Sequence, residues 1–384
     1  MTEKKRSIFE EVGSDAPVAT QTAPKGGLIA RDDSGARRGI RVWLWLLFAM
    51  VVAMIVVGGL TRLTDSGLSI TEWAPVTGAV PPLSAEAWDA EFAKYQEIDE
   101  FKIENRDMTL AEFKTIYWWE WGHRQLGRTV GLVWAIGFLS FLALKKIPAG
   151  WNGRLLLLGA LGGLQGAIGW WMVASGLVEG RTDVASYRLA VHLGLAFAIL
   201  GTIAWFAFLL GRSDSELMTA RRGKDGKLFS MSTGLMHLAF VQILLGAMVA
   251  GIDAGRSFTE WPLMAGQIFP PGAFDIEPLW RNFFENPGLV QFIHRMVAYL
   301  LFAFGVVLWL KGRKSGNRAT ARAFDWMGVM MFGQLVLGIG TVLYAAQLHI
   351  AITHQLGAVV LWVLILRARF LSQYPSEQSV RGTA

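Results

Sequence analysis

Apolar positions along this chain gather into eight long runs instead of alternating with polar ones: 42–60, 117–144, 155–178, 189–211, 228–252, 289–310, 326–346 and 348–366. A bilayer core is crossed by about 20 apolar residues in helical form, and every run meets or approaches that length. The pattern therefore predicts an all-α membrane protein with eight transmembrane helices. The second run is the least apolar at its start, where Glu120, His123, Arg124 and Arg128 interrupt it. None of the twelve prolines falls inside a run, which predicts unbroken helices and not the discontinuous ones of many transporters. Polar segments flank the runs: a disordered tail over 1–41, a linker over 212–227 and a second tail over 367–384.

The runs repeat. Asp65, Gly67, Ser69, Thr71, Glu72 and Trp73 after the first run match Asp253, Gly255, Ser257, Thr259, Glu260 and Trp261 after the fifth. Both segments continue to a Pro-Pro pair, Pro81-Pro82 and Pro270-Pro271. His123-Arg124 opens the second run and His294-Arg295 the sixth. Gln165 and Gly169 of the third correspond to Gln334 and Gly338 of the seventh, and His192 and His354 enter the fourth and eighth. The order is conserved between the halves, so the sequence reads as a duplication of four helices, 42–211 and 228–366. An even number of spans per half gives parallel repeats about an axis near the membrane normal.

Composition sharpens this picture. Charged residues make up 17% of the chain, against about 25% in soluble domains. Mapped onto alternating sides, the segments on the side of the termini hold 24 Lys and Arg and the opposite loops 9. The positive-inside rule then predicts both termini in the cytoplasm. The first outer loop is acidic, which argues against a nucleic-acid surface. The early acidic residues Glu3, Glu10, Glu11 and Asp15 are unlike a mitochondrial transit peptide, so a bacterial inner membrane is expected. The absence of cysteine removes disulfides, thiolate metal sites, iron–sulfur clusters and covalent heme attachment.

Four of the six histidines, His123, His192, His294 and His354, occupy equivalent repeat positions, three to six residues inside the predicted outer ends of even-numbered spans. At a rise of about 1.5 Å per residue this is a shared, shallow depth near the periplasmic face. Neutral imidazoles ligate heme iron, and two from facing helices can clamp a macrocycle inside a four-helix bundle. The reading is one pair per half, with all four as metal ligands. His237 and His349 have no counterparts and read as interfacial hydrogen-bonding residues. Arg124 and Arg295 each follow a ligand candidate, and an arginine inside a membrane needs a partner: either a heme propionate or a rim carboxylate such as Glu72 or Glu260. Glu120 lies one helical turn before His123, whereas the matching residue of the other half is Gln291. A carboxylate beside one pair alone predicts chemistry at that site and electron transfer at the other, the alternative being a simple pairing of Glu120 with Arg124.

The run from Gly58 to Trp73, the Glu120-Trp-Gly-His-Arg124 segment and the duplicated eight-helix plan resemble the heme A synthase family, over about residues 40–370. The resemblance implies oxidation of a ring methyl of heme O to a formyl group, giving heme A for cytochrome oxidase. It implies that heme O binds between His123 and His192 with Glu120 taking part in catalysis, and that a b-type heme sits between His294 and His354 and passes electrons. Heme O synthase is then the expected heme donor and cytochrome oxidase assembly the recipient. Some relatives carry a cysteine pair in the outer loops; this chain has none, so no thiol relay is implied. Two rival functions share the four histidines: a di-heme electron-transfer cytochrome, and a heme exporter or chaperone.

Overall fold

The computed structural model describes residues 34–378, and among these there is no β-strand. Eight helices are long and apolar enough to cross a membrane: α1 Ser34–Leu63, α2 Leu110–Ala143, α3 Asn152–Val173, α4 Ser186–Leu210, α5 Gly226–Gly251, α6 Pro287–Gly312, α7 Arg318–Leu343 and α8 Leu348–Gln373. The chain is a multi-pass membrane protein. Helices α1 to α4 touch in the cyclic order α1–α2–α3–α4–α1, and α5 to α8 in the order α5–α6–α7–α8–α5. Contacts of α4 with α5, α1 with α8 and α4 with α8 join the two groups. Within its most apolar stretch α4 is 61% buried and α2 only 6%, which puts α4 at the centre and α2 at the lipid-facing margin.

Apolar side chains gain little from leaving lipid, so association rests on close packing and internal hydrogen bonds. One device recurs. Trp43 lies against Gly137, Trp134 against Gly159 and Trp362 against Gly201. In each case the indole Nε1–H donates at 3.1 Å to the carbonyl one turn before the glycine, Val133, Leu155 or Phe197. A side chain at the glycine would hold the ring away from that carbonyl.

Several helices are longer than their apolar runs. Helix α1 begins at Ser34, so residues 34–41, expected in the polar tail, belong to it; Arg37 there donates to the carbonyls of Leu209 and Arg212 and pairs with Asp214. The rest of that tail and the last residues of the chain fall outside the described region. The linker 212–227 contains a helix, Asp214–Arg222, opened by a reciprocal Ser213/Glu216 capping box. Helix α2 starts at Leu110, two turns before the expected position, behind a Thr109/Glu112 capping box.

That extension of α2 anchors a cap. The acidic loop folds as helices Ala85–Gln96 and Asp99–Ile103, and its Trp88 and Tyr95 pack with Ile70, Phe113 and Tyr117 in a satellite core. Arg62 at the end of α1 ties the same end of the bundle together. It pairs with Asp65 at 2.6 Å and with Asp253 after α5 at 2.7 Å, and donates to the Ala250 carbonyl. Asp65 and Asp253 share the left-handed backbone conformation, at φ 49° and 51°.

Within the cap Glu100 is 4% exposed, and its Oε2 has no hydrogen-bond partner. Burial first, then the charge of Glu120, pushes its carboxyl up to about 8. A carboxyl raised in the folded state favours folding below its ordinary value, and that contribution is lost as pH rises through the raised one. Hydrogen exchange in residues 85–103 should therefore speed up between about pH 5 and 8. The same comparison on Glu100→Gln should show no such rise beyond the intrinsic base-catalysed change.

Candidate functional site

The four repeat-related histidines lie on α2, α4, α6 and α8, and each ring is half-buried. His192, His294 and His354 enter their helices within about two turns of the start, whereas His123 stands thirteen residues after Leu110. The difference arises because α2 continues outward into the cap. His123 and His192 are within electrostatic range of each other, as are His294 and His354.

Each imidazole lies against a glycine of a neighbouring odd-numbered helix. A Cβ on Gly58 of α1 would come within 3.0 Å of His123 Nε2. On Gly169, Gly246 and Gly338 it would come within 2.9, 3.1 and 3.2 Å of Cε1 of His192, His294 and His354. The bare backbone at these positions is what lets a ring sit between helices. Three of the rings also have a glutamine one turn before the glycine. Gln165, Gln242 and Gln334 donate through Nε2 to the backbone carbonyls of His192, His294 and His354 at 3.0, 3.1 and 2.9 Å. The same Nε2 atoms stand 3.0–3.3 Å from the ring nitrogens. Gln242 and Gly58 were not singled out by the repeat analysis, although the Gln-x-x-x-Gly spacing at 165–169 and 334–338 was already visible.

The acidic difference between the halves has a defined structure. Glu120 is 3% exposed and accepts from Ser69 Oγ and Ile70 N, both at 2.8 Å, and from Arg124 Nε and Nη2 at 3.1 and 2.7 Å. Arg124 reaches on to the carbonyls of Ile70 and Glu72, and Arg128 to those of Ala74 and Pro75. The loop after α1 is therefore clamped to α2. In the other half Gln291 donates to the Phe258 carbonyl and accepts from Arg295, which also bonds the carbonyls of Phe258 and Leu263. The geometry of the clamp is alike, but its charge is not. Arg124 has the Glu120 carboxylate; Arg295 is 5% exposed, its Nε has no partner, and among the described residues no carboxylate lies within 4 Å of it. Of the two alternatives for these arginines, a rim carboxylate is met by neither Glu72 nor Glu260 through a direct ion pair. Ser69 stands in the sequence only as a match between the two similar segments; the fold brings it to Glu120 on α2.

His237 Nδ1 donates within its own helix to the Thr233 carbonyl, 2.9 Å away, and lines a crevice of about 330 Å³ with Trp205, Trp362 and Arg369. His349 accepts from Thr353 through its backbone carbonyl. Neither joins the four.

Residues 41–366 match the family described as cytochrome oxidase assembly protein. The chain belongs to that family. Similar relatives, each named heme A synthase, cover nearly the whole chain. The protein of Ruegeria sp. (strain TM1040) is 66% identical over 98% of this chain and 99% of its own length. That of Roseobacter denitrificans is 65% identical over 99% of each, and that of Paracoccus denitrificans 60% identical over 99% of each. The family match takes in all four histidines, the four glycines and both loop clamps.

The glycine contacts yield a direct test. Gly338→Val should push the His354 ring out of place, at a packing cost of about 1–3 kcal/mol. Heme content per purified protein should fall in this variant while the helical circular dichroism is kept. Unchanged heme content would show that the close approach does not position the ring.

Proposed function

We propose that this protein is a heme A synthase that converts heme O to heme A for cytochrome oxidase, with the substrate held between His123 and His192. The observation that carries the reading is the pair of two-histidine sites, each ring seated against a glycine. Among the described residues no group of three or more His, Asp or Glu side chains is placed to hold a bare ion. A metal such as zinc needs three or four protein ligands, whereas heme iron brings four of its own and asks the protein for the axial two. Arg295, buried without a carboxylate, fits a propionate.

In this reading the two groups of four helices are parallel repeats, with both termini cytoplasmic and the cap and histidine sites toward the periplasm. His294 and His354 hold a b-type heme, which supplies one-electron transfer when bound. His123 and His192 fix the iron of the substrate and thereby the position of the ring methyl that is taken to the aldehyde level. Glu120 receives the proton released there, one turn from His123, and Arg124 orients it; Gln291 at the matching point has no proton to exchange. Heme O synthase is the donor of the substrate. The equivalence of Glu120 and Gln291 as loop clamps favours one alternative, a di-heme electron-transfer cytochrome in which Glu120 only holds the loop.

Co-expression with heme O synthase in a host lacking heme A, then heme extraction and mass detection, separates the two. The expected result is formyl-bearing heme with the native chain and none with His123→Ala. Glu120→Ala should retain bound heme and lower conversion at least a hundredfold, within the usual range for a lost acid–base group. Conversion by Glu120→Ala at the native rate would assign Glu120 to the clamp alone.

A further inference from the structure

Where the two groups of helices join, α4 meets α5 and α8, and the crevice of about 330 Å³ beside His237 opens between these three. Its walls are apolar: Ala198 and Gly201 of α4, Met236 and Phe240 of α5, Trp362 and Leu366 of α8. Arg369 completes the lining. It stands four residues before the end of α8 at Gln373, about 6 Å along the helix axis. The lining runs inward from Arg369 to Trp362, from Trp205 to Ala198 and from Met236 to Phe240, so the apolar residues lie deeper than the cation.

The surroundings of Arg369 leave much of its charge unused. Its guanidinium lies over the rings of Trp205 and Phe229, 4.8 and 4.5 Å from their centroids. Its Nε donates to Thr233 Oγ1 at 2.9 Å, its one hydrogen bond among the described residues. Arg37 and Arg313 at the same end of the bundle pair with Asp214 and Asp325. No carboxylate among the described residues lies within 4 Å of Arg369, and both of its Nη groups keep their donors free. The cationic surface continues sideways. Phe370 packs on Trp205 and Phe208, and Arg212 and Arg367 lie over the Phe370 and Phe208 rings.

An arginine within a membrane-spanning helix calls for an anionic partner, and basic pockets between such helices take lipid head groups. Paired guanidinium N–H groups match the oxygens of a phosphate, while the apolar slot below the cation suits an acyl chain and offers nothing to a free anion. We propose that this crevice binds one anionic phospholipid, its phosphate on the Nη groups of Arg369 and an acyl chain against Met236, Phe240, Trp362 and Leu366. A zwitterionic lipid brings its own cation to a rim that is already positive, and is disfavoured. The bound lipid would touch α4 of one group and α5 and α8 of the other, so it fastens the seam between them. The site is separate from the histidine pairs and does not rest on their reading.

The test is native mass spectrometry of the purified full chain, stripped of lipid in detergent and titrated with phosphatidylglycerol or phosphatidylcholine, with thermal unfolding followed in parallel. One phosphatidylglycerol should be retained at about tenfold lower concentration than phosphatidylcholine, the scale of one charged hydrogen bond. It should also raise the unfolding temperature. Arg369→Gln should remove the preference and Arg369→Lys should keep part of it. Ala198→Leu, which fills the deep end of the slot and leaves the cation, should weaken retention of phosphatidylglycerol. Equal retention of the two lipids by the native chain overturns the proposal, as does an undiminished preference in Arg369→Gln. Inorganic phosphate at millimolar concentration should not stabilise the chain; stabilisation equal to that by phosphatidylglycerol assigns the rim to a free anion and overturns the lipid. If Arg369→Gln does not fold, unchanged retention of phosphatidylglycerol by Ala198→Leu overturns the proposal instead.

Discussion

A polar ring inside an apolar bundle has to be held by another helix, and in this protein the arrangement turns on how closely that helix can approach. Glycine at 58, 169, 246 and 338 lets the backbone of an odd-numbered helix pass within contact distance of an imidazole. The same economy of side chains seats Trp43, Trp134 and Trp362 on glycines, where each indole finds a carbonyl. In lipid, packing and internal hydrogen bonds do what water exclusion does elsewhere. The histidine sites are thus extensions of the way the helices pack, and substitution at these glycines disturbs fold and site together.

The loops after α1 and α5 are fastened by a second rule, an acid or amide and an arginine one turn apart on the following helix. Glu120 with Arg124 and Gln291 with Arg295 hold the backbone at Ile70 and Phe258, residues at matching places in two similar sequence segments. Charge separates the two clamps. The first is internally neutral and so needs no outside partner; the second leaves a buried cation. The two halves differ in this charge and in the His123 ring, which turns Nε2 toward its glycine where the other three present Cε1.

Hydropathy made all eight membrane helices legible, because a bilayer demands length and apolarity and little else. Their ends were harder to read. Residues 34–41 and 110–116 are polar, yet they are helical because Arg37 finds carbonyls on α4 and its following turn, and because Thr109 and Glu112 cap each other. The Thr-x-x-Glu and Ser213-x-x-Glu216 signatures were present in the chain to be used. The four histidines, Glu120 and both arginines stand out as candidates in the sequence because they recur, or fail to recur, at matching places in two similar segments. The contacts of Ser69 with Glu120 and of Arg62 with Asp253 do not, as each joins segments that only the folded chain brings together. The acidic loop was opaque for the same reason: its aromatic residues become a core only against the outward extension of α2.

Two separate heme sites, one in each half and each with two histidine ligands, are the central claim. Low-temperature electron paramagnetic resonance of the oxidised, heme-loaded chain measures it most directly. Two low-spin signals of the bis-histidine type are expected, one abolished by His123→Ala or His192→Ala and the other by His294→Ala or His354→Ala. Loss of a single shared signal on substituting a histidine in either half would contradict the account, because it would place one heme between the halves.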